Sequence, residues 1–351
     1  MCIGASNLVP LFSRVVLSVL IIAIIGCGGG GGTAEVTSSL TPTPAPSPAP
    51  TPSGLDNWHL RASGTNADLY GVTYGNGIFV AVGELGTVLT STDGVTWTQR
   101  NSGTAKALIA VTYGNGIFVA VGEDGTILSS TDGVLWTKRN SGIADYYTFT
   151  AVTYGNGIFL ADYDYGILTS PDGMSWTQRS LGLPVDIDTF QLSGMAYGNG
   201  IYLALVQGWS LCRPFRGCDG YAVFARTSPD GATWSSPSSA TVNPLNLQGL
   251  TYGNGMFLGF YGQSILTSPD GAAWTDANWD APVSLDGAVT YGNGTFIGPG
   301  TNDTILTSTN GLEWNVWNTG IISSISRITY GNGTFVAVGS DGVIIQSDPV
   351  M

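Results

Sequence analysis

Histidine and cysteine are nearly absent from this sequence of 351 residues, which contains one histidine and four cysteines. Zinc sites need several cysteine or histidine ligands, and catalytic triads need a histidine beside a nucleophile. With His59 as the only histidine, the sequence excludes both kinds of site. Glycine-rich segments are frequent, but they join predicted strands, so phosphate-binding loops between a strand and a helix are excluded too. We therefore expect no metal, no cofactor and no catalytic residue.

Charged residues are also scarce, at 10% of the chain, and basic residues are the rarer kind, with 11 Lys and Arg against 24 Asp and Glu. An acidic surface repels phosphate backbones, and no basic stripe interleaved with aromatic residues is present. The sequence therefore predicts no nucleic-acid partner. The excess of acidic residues is typical of a protein that stays soluble through its net charge.

Residues 1–27 are predicted to be a targeting segment. Arg14 precedes the apolar run VVLSVLIIAII (15–25), and a small residue stands before Cys27. A transmembrane helix needs about 20 apolar residues, so a membrane-spanning helix is the weaker interpretation. The segment resembles a bacterial lipoprotein signal, which implies that Cys27 becomes the lipidated N-terminus. Acyl chains at Cys27 would anchor the protein in the bacterial cell envelope, on its periplasmic or extracellular face.

Residues 28–55 have the composition of a linker. GGGGG (28–32) is flexible, and TPTPAPSPAPTP (41–52) favours polyproline II. At about 3.1 Å per residue, the second stretch reaches roughly 37 Å. The linker is expected to hold a folded domain, residues 56–351, away from the membrane surface.

The folded domain consists of seven copies of one unit. The motif YGNG occurs seven times, at a spacing of 39–43 residues except across one insertion, and its tyrosines are Tyr74, Tyr113, Tyr154, Tyr197, Tyr252, Tyr291 and Tyr330. A second motif, S-x-D/N-G-x-x-W, ends at Trp97, Trp136, Trp176, Trp234, Trp274 and Trp314. Periods near 40 residues are typical of propellers and solenoids.

The interior of one unit favours a propeller. In residues 108–139, the strand LIAVTY is followed by Asn115-Gly116, a strong hairpin signal. IFVAV, TILSS and LWTKR supply three more strands, and no helical period is present. We therefore predict an all-β, seven-bladed β-propeller of four-stranded antiparallel blades. The aromatic residues of both motifs are expected to form the core between blades.

The two ends of the domain predict how the ring closes. The last unit ends near residue 348 without a fourth strand, whereas the domain begins with NWHLRASGT (57–65), which matches the fourth-strand segment TWTQRNSGT (96–104). The strand that contains Trp58 is therefore expected to complete the last blade. A ring closed in this way leaves no free sheet edge.

The second motif resembles the Asp-box, or BNR, repeat of sialidase-like propellers and of propellers similar to photosystem II assembly factors. The resemblance covers roughly residues 57–348, although each box lacks one residue before the glycine and Asn310 replaces the aspartate of the sixth. It implies that the box aspartates cap backbone N–H groups in structural turns: Asp93, Asp132, Asp172, Asp230 and Asp270.

A sialidase reaction is a poor match for the same sequence. The family's chemistry requires an arginine cluster, a Tyr–Glu nucleophile pair and a further acidic residue. Beyond the linker only three glutamates remain, Glu84, Glu123 and Glu313, and the first two occupy equivalent turns of duplicated blades. A sialidase-like glycoside hydrolase therefore stays the alternative, and a non-catalytic binding protein is the preferred interpretation.

Variation between the repeats collects on one predicted face. The 1–2 and 3–4 turns carry the constant motifs, whereas the 2–3 and 4–1 loops, on the opposite face, differ between blades. Variable loops on a fixed scaffold are where binding residues concentrate. We expect this irregular face to bind a protein or carbohydrate ligand, with these binding candidates: Tyr146, Tyr147, Trp209, Arg213, Phe215, Arg216 and Trp279.

Two further features belong to this binding hypothesis. Cys212 and Cys218 lie in the insertion of blade four and, outside the cytosol, are expected to form a disulfide. Three residues before each YGNG tyrosine stands glycine or alanine in six blades, but Arg327 in the seventh. Arg327 is a candidate for an anionic ligand in the central channel, or for a pair with a nearby aspartate. We expect a monomer that is anchored to the membrane by lipid.

Overall fold

The computed structural model describes residues 54–163, 166–182, 187–210, 221–235, 238–239, 249–261, 264–277, 283–321 and 323–350. These residues form seven four-stranded antiparallel sheets and two single 3₁₀ turns, Glu84–Gly86 and Ser340–Gly342. The predicted all-β, seven-bladed propeller is confirmed. Across the same residues, no helix has the length and apolarity that a membrane crossing requires.

The strands follow one another in a repeating order, and each blade is built from consecutive strands. The chain begins with β1 (Trp58–Arg61). Blade one comprises β2 (Leu69–Gly75), β3 (Ile78–Gly83), β4 (Val88–Ser91) and β5 (Thr98–Arg100). Blade two comprises β6 (Leu108–Gly114), β7 (Ile117–Gly122), β8 (Ile127–Ser130) and β9 (Thr137–Arg139). Blade three comprises β10 (Phe149–Gly155), β11 (Ile158–Tyr163), β12 (Gly166–Ser170) and β13 (Thr177–Arg179).

The second half of the ring repeats this order with more variation in length. Blade four comprises β14 (Ile187–Gly198), β15 (Ile201–Ser210), β16 (Tyr221–Ser228) and β17 (Ser238–Ser239). Blade five comprises β18 (Gly249–Gly253), β19 (Met256–Tyr261), β20 (Ser264–Ser268) and β21 (Thr275–Asp276). Blade six comprises β22 (Thr290–Gly292), β23 (Thr295–Gly300), β24 (Thr304–Ser308) and β25 (Asn315–Asn318). Blade seven contains β26 (Ile325–Gly331), β27 (Thr334–Gly339) and β28 (Ile344–Ser347).

The Asn-Gly pairs of the YGNG motif form the first hairpin of every blade. The seven asparagines have φ between 42° and 50°, and the glycines that follow them have φ between 74° and 79°. Two consecutive positive φ angles are the signature of the type I′ turn, whose twist matches that of antiparallel strands. The motif therefore fixes the register between strands one and two, for example Tyr74 opposite Phe79 in blade one.

The core is divided into seven apolar clusters, one at each junction between neighbouring blades. Phe118 packs with Val80 and Val82 of blade one, and Phe335 packs with Ile297 and Ile305 of blade six. The strand-two phenylalanines are fully buried, and each contributes roughly 1.5–3 kcal/mol of apolar burial. A blade has two apolar faces, so only a closed ring buries both.

The seventh blade is completed by the N-terminal strand. β1 pairs with β28 in antiparallel register, with Trp58 opposite Ser347 and Leu60 opposite Ile345. The innermost strands also contact one another in sequence around the ring, and β26 contacts β2. The predicted pairing of the Trp58 strand with the last blade is therefore confirmed. In blade four the described part of the outer strand is the two-residue β17.

Candidate functional site

Hydrogen bonds between loops define the two faces of the ring. On one face, the 2–3 turns bond to the 4–1 connections: Glu84 N donates to Asp68 O (2.9 Å), and Glu123 N donates to Ala107 O (3.0 Å). On the other face, Nδ2 of Asn115 in a 1–2 turn donates to Pro171 O of the next blade (3.5 Å). The loops that vary between blades share the first face, which we call the irregular face.

The aspartates of the second motif organise the 3–4 turns of the opposite face. Oδ1 of Asp93 accepts hydrogen bonds from the backbone N–H groups of Val95 (2.8 Å) and Thr96 (2.9 Å), and the Ser91 hydroxyl donates to it (2.9 Å). The backbone bonds are the main reason that the pKa of Asp93 lies below its usual range. The same pair of backbone bonds recurs at Asp132, Asp172, Asp230, Asp270 and Asn310.

A cluster of aromatic rings reaches the surface of the irregular face between blades two and three. It consists of Tyr146, Tyr147 and Tyr163, which we call the tyrosine cluster, and it stands on the buried Phe149. The centroids of Tyr146 and Tyr147 are 4.4 Å apart, and those of Tyr147 and Tyr163 are 5.3 Å apart. Tyr163 in turn meets Phe149 edge to face at 6.2 Å. The cluster thus continues the core of blade three out to solvent.

The backbone around the tyrosine cluster is fixed by contacts with blade two. Gly125 N, in the 2–3 turn of that blade, donates to Tyr147 O (2.7 Å), and Tyr147 N donates to Ala144 O (3.2 Å). Gln178 donates to the hydroxyl of Tyr163 from the outer strand of blade three. Tyr146 nevertheless leaves 76% of its surface exposed, and among the described side chains it is the only aromatic one that is exposed.

Several predicted site residues lie outside the described residues, namely Arg213, Phe215, Arg216, Trp279, Cys27, Cys212 and Cys218. Trp209 lies in β15, opposite Tyr221 of β16, but its side chain is not described. The candidates that the structure describes therefore fall into two places, with Tyr146 and Tyr147 on the irregular face and Arg327 in the central channel.

The central channel contains a cavity of about 300 Å³. Among the residues that line it are all seven that stand three positions before a YGNG tyrosine, Gly71, Ala110, Ala151, Gly194, Gly249, Ala288 and Arg327. In four blades this position directly follows a register irregularity of the innermost strand, as between Ile325 and Arg327. In blade three Ala151 lies within such an irregularity. All lining residues except Asp162 stand two to five positions before a YGNG tyrosine, on the side from which the chain enters the blade, so the cavity lies toward the irregular face.

Asp162 is a second charged group of this cavity, and it is not among the site residues predicted from the sequence. Its carboxylate accepts hydrogen bonds from the backbone N–H groups of Thr150 (3.1 Å) and Ala151 (2.5 Å), and the Thr150 hydroxyl donates to it (2.9 Å). The side chain is 2% exposed, and this burial raises its pKa to about 6 against the opposing effect of the hydrogen bonds. Comparison of the repeats could have found it, because the equivalent residues include Val82, Val121 and Val338.

A tyrosine and a glutamate meet at the start of blade one. The Tyr70 hydroxyl donates to Oε1 of Glu84 (3.1 Å). Burial, followed by the hydrogen bond and charge of Glu84, raises the pKa of Tyr70 to about 12. The other charges that act on this hydroxyl, those of Asp68 and Glu123, are negative as well. Tyr70 is therefore held in its neutral form, which is a weak nucleophile.

In the part of the chain that the structure describes, no group of three or more histidine, cysteine, aspartate or glutamate side chains could hold a metal ion. Among the described residues, the one acidic side chain that His59 contacts is Asp348, with 2.7 Å between Nε2 and Oδ1. This contact joins the closing strand β1 to the C-terminal end of the domain.

Comparisons with known proteins identify the fold and no family. No family model and no curated protein sequence matches the chain. Among solved structures, YCF48 bound to a D1 peptide is similar, with a TM-score of 0.62, 17% identity and coverage of 85% of this chain and 98% of that one. YCF48 from Cyanidioschyzon merolae matches with a TM-score of 0.61 and 14% identity, covering 84% and 99% of the two chains.

An enzyme is similar to the chain as well. Virginiamycin B lyase from Staphylococcus aureus matches with a TM-score of 0.64 and 13% identity, covering 83% of this chain and 99% of that one. At such identities a structural likeness shows the fold alone, and propellers of one shape serve unrelated functions. The comparisons therefore establish that the chain folds as a propeller of this kind.

Proposed function

We propose that this protein is a cell-envelope lipoprotein whose propeller head binds a protein or glycan partner through the irregular face, without catalysis. The observation that carries this proposal is the tyrosine cluster, an aromatic ladder that runs from the core to an exposed ring. Aromatic side chains supply large contact areas with few rotatable bonds, and they dominate the energetics of binding interfaces.

The geometry of the tyrosine cluster suits binding better than packing. Tyr147 is held by the 2.7 Å bond from Gly125, and the Tyr146 ring rests on Tyr147 while its own outer surface meets water. A ring that is already oriented loses little conformational entropy when a partner covers it. Asp145, exposed beside it, and the Lys106–Asp124 ion pair on the same face supply polar groups around the aromatic centre.

The membrane anchor in this proposal depends on the N-terminal sequence. Lipidation of Cys27 would tether the head, and the linker of residues 28–55 would give it room to meet a partner. The 3–4 turns are, in this proposal, variants of the Asp-box, whose aspartates serve the scaffold. Their capping bonds support that assignment, since each box side chain accepts from two backbone N–H groups of its own turn.

A protein partner is favoured over a glycan by the similar structures, because YCF48 is seen with a peptide. Both partners would use the same aromatic surface, since tyrosine rings stack on sugars as well as on peptide side chains. The insertion of blade four, with Trp209 in β15 and Arg213, Phe215 and Arg216 after it in the sequence, would extend the surface in either case.

A sialidase-like hydrolase remains the alternative, and the Tyr70–Glu84 contact is the observation in its favour. That pair supplies the residue types of a tyrosine nucleophile and its base. The raised pKa of Tyr70 and its carboxylate neighbours oppose the alternative, because a nucleophilic tyrosine needs positive charge beside it. Release of a fluorescent group from a sialic acid glycoside, abolished by Tyr70→Phe, would support it.

The proposal is tested by site-specific photo-crosslinking of the full-length protein in its own cells. A photoreactive phenylalanine replaces Tyr146 in one variant and Leu135 in another, because both side chains are 76% exposed and they lie on opposite faces. A crosslinked protein or glycan is expected from position 146 alone, and it should disappear in the presence of Tyr147→Ala. Equal crosslinking from both positions, or none from 146, contradicts the proposal.

A further inference from the structure

The central channel offers a site that does not depend on the irregular face or its partner. Its cavity of about 300 Å³ lies at the lower end of the range for small-molecule pockets. Six of the seven equivalent residues around it are glycine or alanine, so the innermost strands leave space at this level. The seventh is Arg327, which alone of these seven brings a long side chain to the cavity.

Within the described part of the chain, Arg327 lines this cavity without an acidic partner. Its guanidinium donates one hydrogen bond, from Nη1 to the neighbouring carbonyl of Ser326 (3.0 Å). Among the described residues, the ion pairs within 4.0 Å are His59–Asp348 and Lys106–Asp124, and neither involves Arg327. Burial lowers the pKa of the guanidinium, yet an arginine in a protein stays charged. Most of its five N–H donors are therefore open to an anion.

Asp162 lines the same cavity, but its carboxylate is already hydrogen-bonded within blade three. It stands in blade three, on the far side of the ring from blade seven, and its carboxylate accepts from Thr150 and Ala151 as described above. These bonds hold the carboxylate against the wall of its own blade. A ligand at Arg327 thus meets one strong cation and, at a distance, one carboxylate, a balance that favours a monoanion over a phosphate with two charges.

The lining also contains two hydroxyl residues, Thr150, which donates to Asp162 (2.9 Å), and Ser193, which donates to Leu205 O (3.3 Å), so both donors are already used. Apolar residues supply the rest of the side-chain lining. Val72, Val111, Val152, Leu192, Met195 and Leu250 contribute side chains from blades one to five. A ligand that satisfies both the guanidinium and these walls carries one carboxylate on a short hydrocarbon body. A planar guanidinium also matches a carboxylate with two parallel hydrogen bonds.

We propose that the central channel binds a small organic monocarboxylate, with Arg327 paired to the carboxylate and the hydrocarbon part packed on the valine and leucine side chains of the first five blades. The site is separate from the tyrosine cluster. Its occupancy can therefore be measured whether or not a macromolecular partner exists.

The test uses isovalerate as the probe, with the full-length protein and titration calorimetry or ligand-observed NMR. Isovalerate should bind, whereas isovaleramide, which has the same shape without the charge, should bind at least tenfold more weakly. Inorganic phosphate should also be weaker. Binding of phosphate as tight as that of isovalerate would indicate a general anion site and overturn the proposal.

Two variants assign the binding to Arg327. Arg327→Ala gives blade seven a small residue, as in the six other blades, which carry alanine or glycine at this position. The variant should therefore fold and melt like the wild type, while isovalerate affinity falls roughly tenfold to a hundredfold. Asp162→Asn is the matched control within the same cavity and should bind isovalerate at least as well as the wild type. Unchanged affinity in Arg327→Ala, or an equal loss in both variants, would overturn the proposal.

Discussion

Gly331, in the last YGNG motif, lies directly against the aromatic ring of Tyr74, in the first. A Cβ atom at Gly331 would stand less than 3.0 Å from that ring, closer than real Cβ atoms approach their neighbours. The same relationship holds between every blade and the next, as between Gly75 and Tyr113 or Gly114 and Tyr154. Each tyrosine therefore occupies the space that the preceding blade's glycine leaves open, and the Gly331–Tyr74 contact closes the circle.

The first prediction concerns this contact. Gly331→Ala should destabilise the fold by about 1–3 kcal/mol, because the new methyl group overlaps the Tyr74 ring. The measurement is urea unfolding of the single variant and of the same change made together with Tyr74→Ala. In the second background the added cost should largely vanish, since the ring is gone.

Gly333 provides the control for that experiment. It has a φ of 77° and no atom near its missing Cβ, so Gly333→Ala is strained only through its backbone, by about 1–2 kcal/mol. This cost should be equal in the presence and absence of the Tyr74 ring. If Gly331→Ala behaves in the same way, the tyrosine does not fill the space at the glycine.

The second prediction concerns the closing strand. Removal of residues 56–62 takes away β1 and leaves β28 with an unpaired edge, so the melting temperature should fall by many degrees. Leu60→Ser changes the same strand at a side chain that is 62% exposed, so its melting temperature should equal that of the wild type. A truncated chain that melts unchanged would show that β1 does not complete blade seven.

The third prediction concerns acid unfolding. The pKa of Asp230 is lowered to about 2, chiefly by the backbone N–H groups of Thr233 and Ala232. A group whose pKa is lower in the folded state stabilises the fold above its unfolded pKa of about 3.9, and this contribution is lost as the pH falls toward 2. The wild type should therefore lose stability over that range.

Asp230→Asn isolates this contribution, and Asn310 provides its natural precedent. The asparagine oxygen accepts the same two backbone bonds in blade six, at 2.9 Å each. The variant should be less stable than the wild type at pH 7, by less than about 1 kcal/mol because the turn is exposed to solvent, and show a shallower loss of stability between pH 4 and 2, measured by urea unfolding. An identical loss of stability between pH 4 and 2 in both proteins would show that Asp230 is not stabilised in its charged form.

The fourth prediction concerns Asp162, whose pKa is raised by folding and not lowered as that of Asp230 is. Burial raises the pKa of Asp162 to about 6, so its contribution to stability is greatest below pH 4 and is lost as the pH rises through 6. Asp162→Asn should be more stable than the wild type at pH 7, by about 1–3 kcal/mol, because its oxygen still accepts from Thr150 and Ala151 and its amide can donate to the Thr150 hydroxyl. At pH 4 the two proteins should be nearly equal. A variant less stable than the wild type at pH 7 would contradict this.

The architecture follows from the sequence because each repeat carries its own turn signals. The Asn-Gly pairs set the first hairpin of each blade, and the match of residues 57–65 to a fourth strand predicts the pairing of Trp58 with the last blade. Each of these signals lies within a few residues of sequence, so it can be recognised by comparing one repeat with another. The need for the first glycine of the motif, which leaves room for the tyrosine ring of the next blade, becomes understandable only when neighbouring blades are placed together.

The parts that the sequence does not predict are departures from the repeat. Arg226 occupies a core position where blades one and two have Leu89 and Leu128. It is 2% exposed and donates to the carbonyls of Gly182 (2.8 Å) and Ser235. The tyrosine cluster could be predicted only in part. Tyr146 and Tyr147 are candidates from the sequence, whereas the contribution of Tyr163 depends on how the end of β11 and the loop before β10 meet in space.

The most direct test of the closed ring is a nuclear Overhauser contact between the Tyr74 ring protons and the α protons of Gly331, in protein labelled at tyrosine and glycine. A strong contact is predicted, matched by those between Tyr113 and Gly75 and between Tyr154 and Gly114. Contacts at the two internal junctions without one between Tyr74 and Gly331 would show an open array of blades and contradict the account.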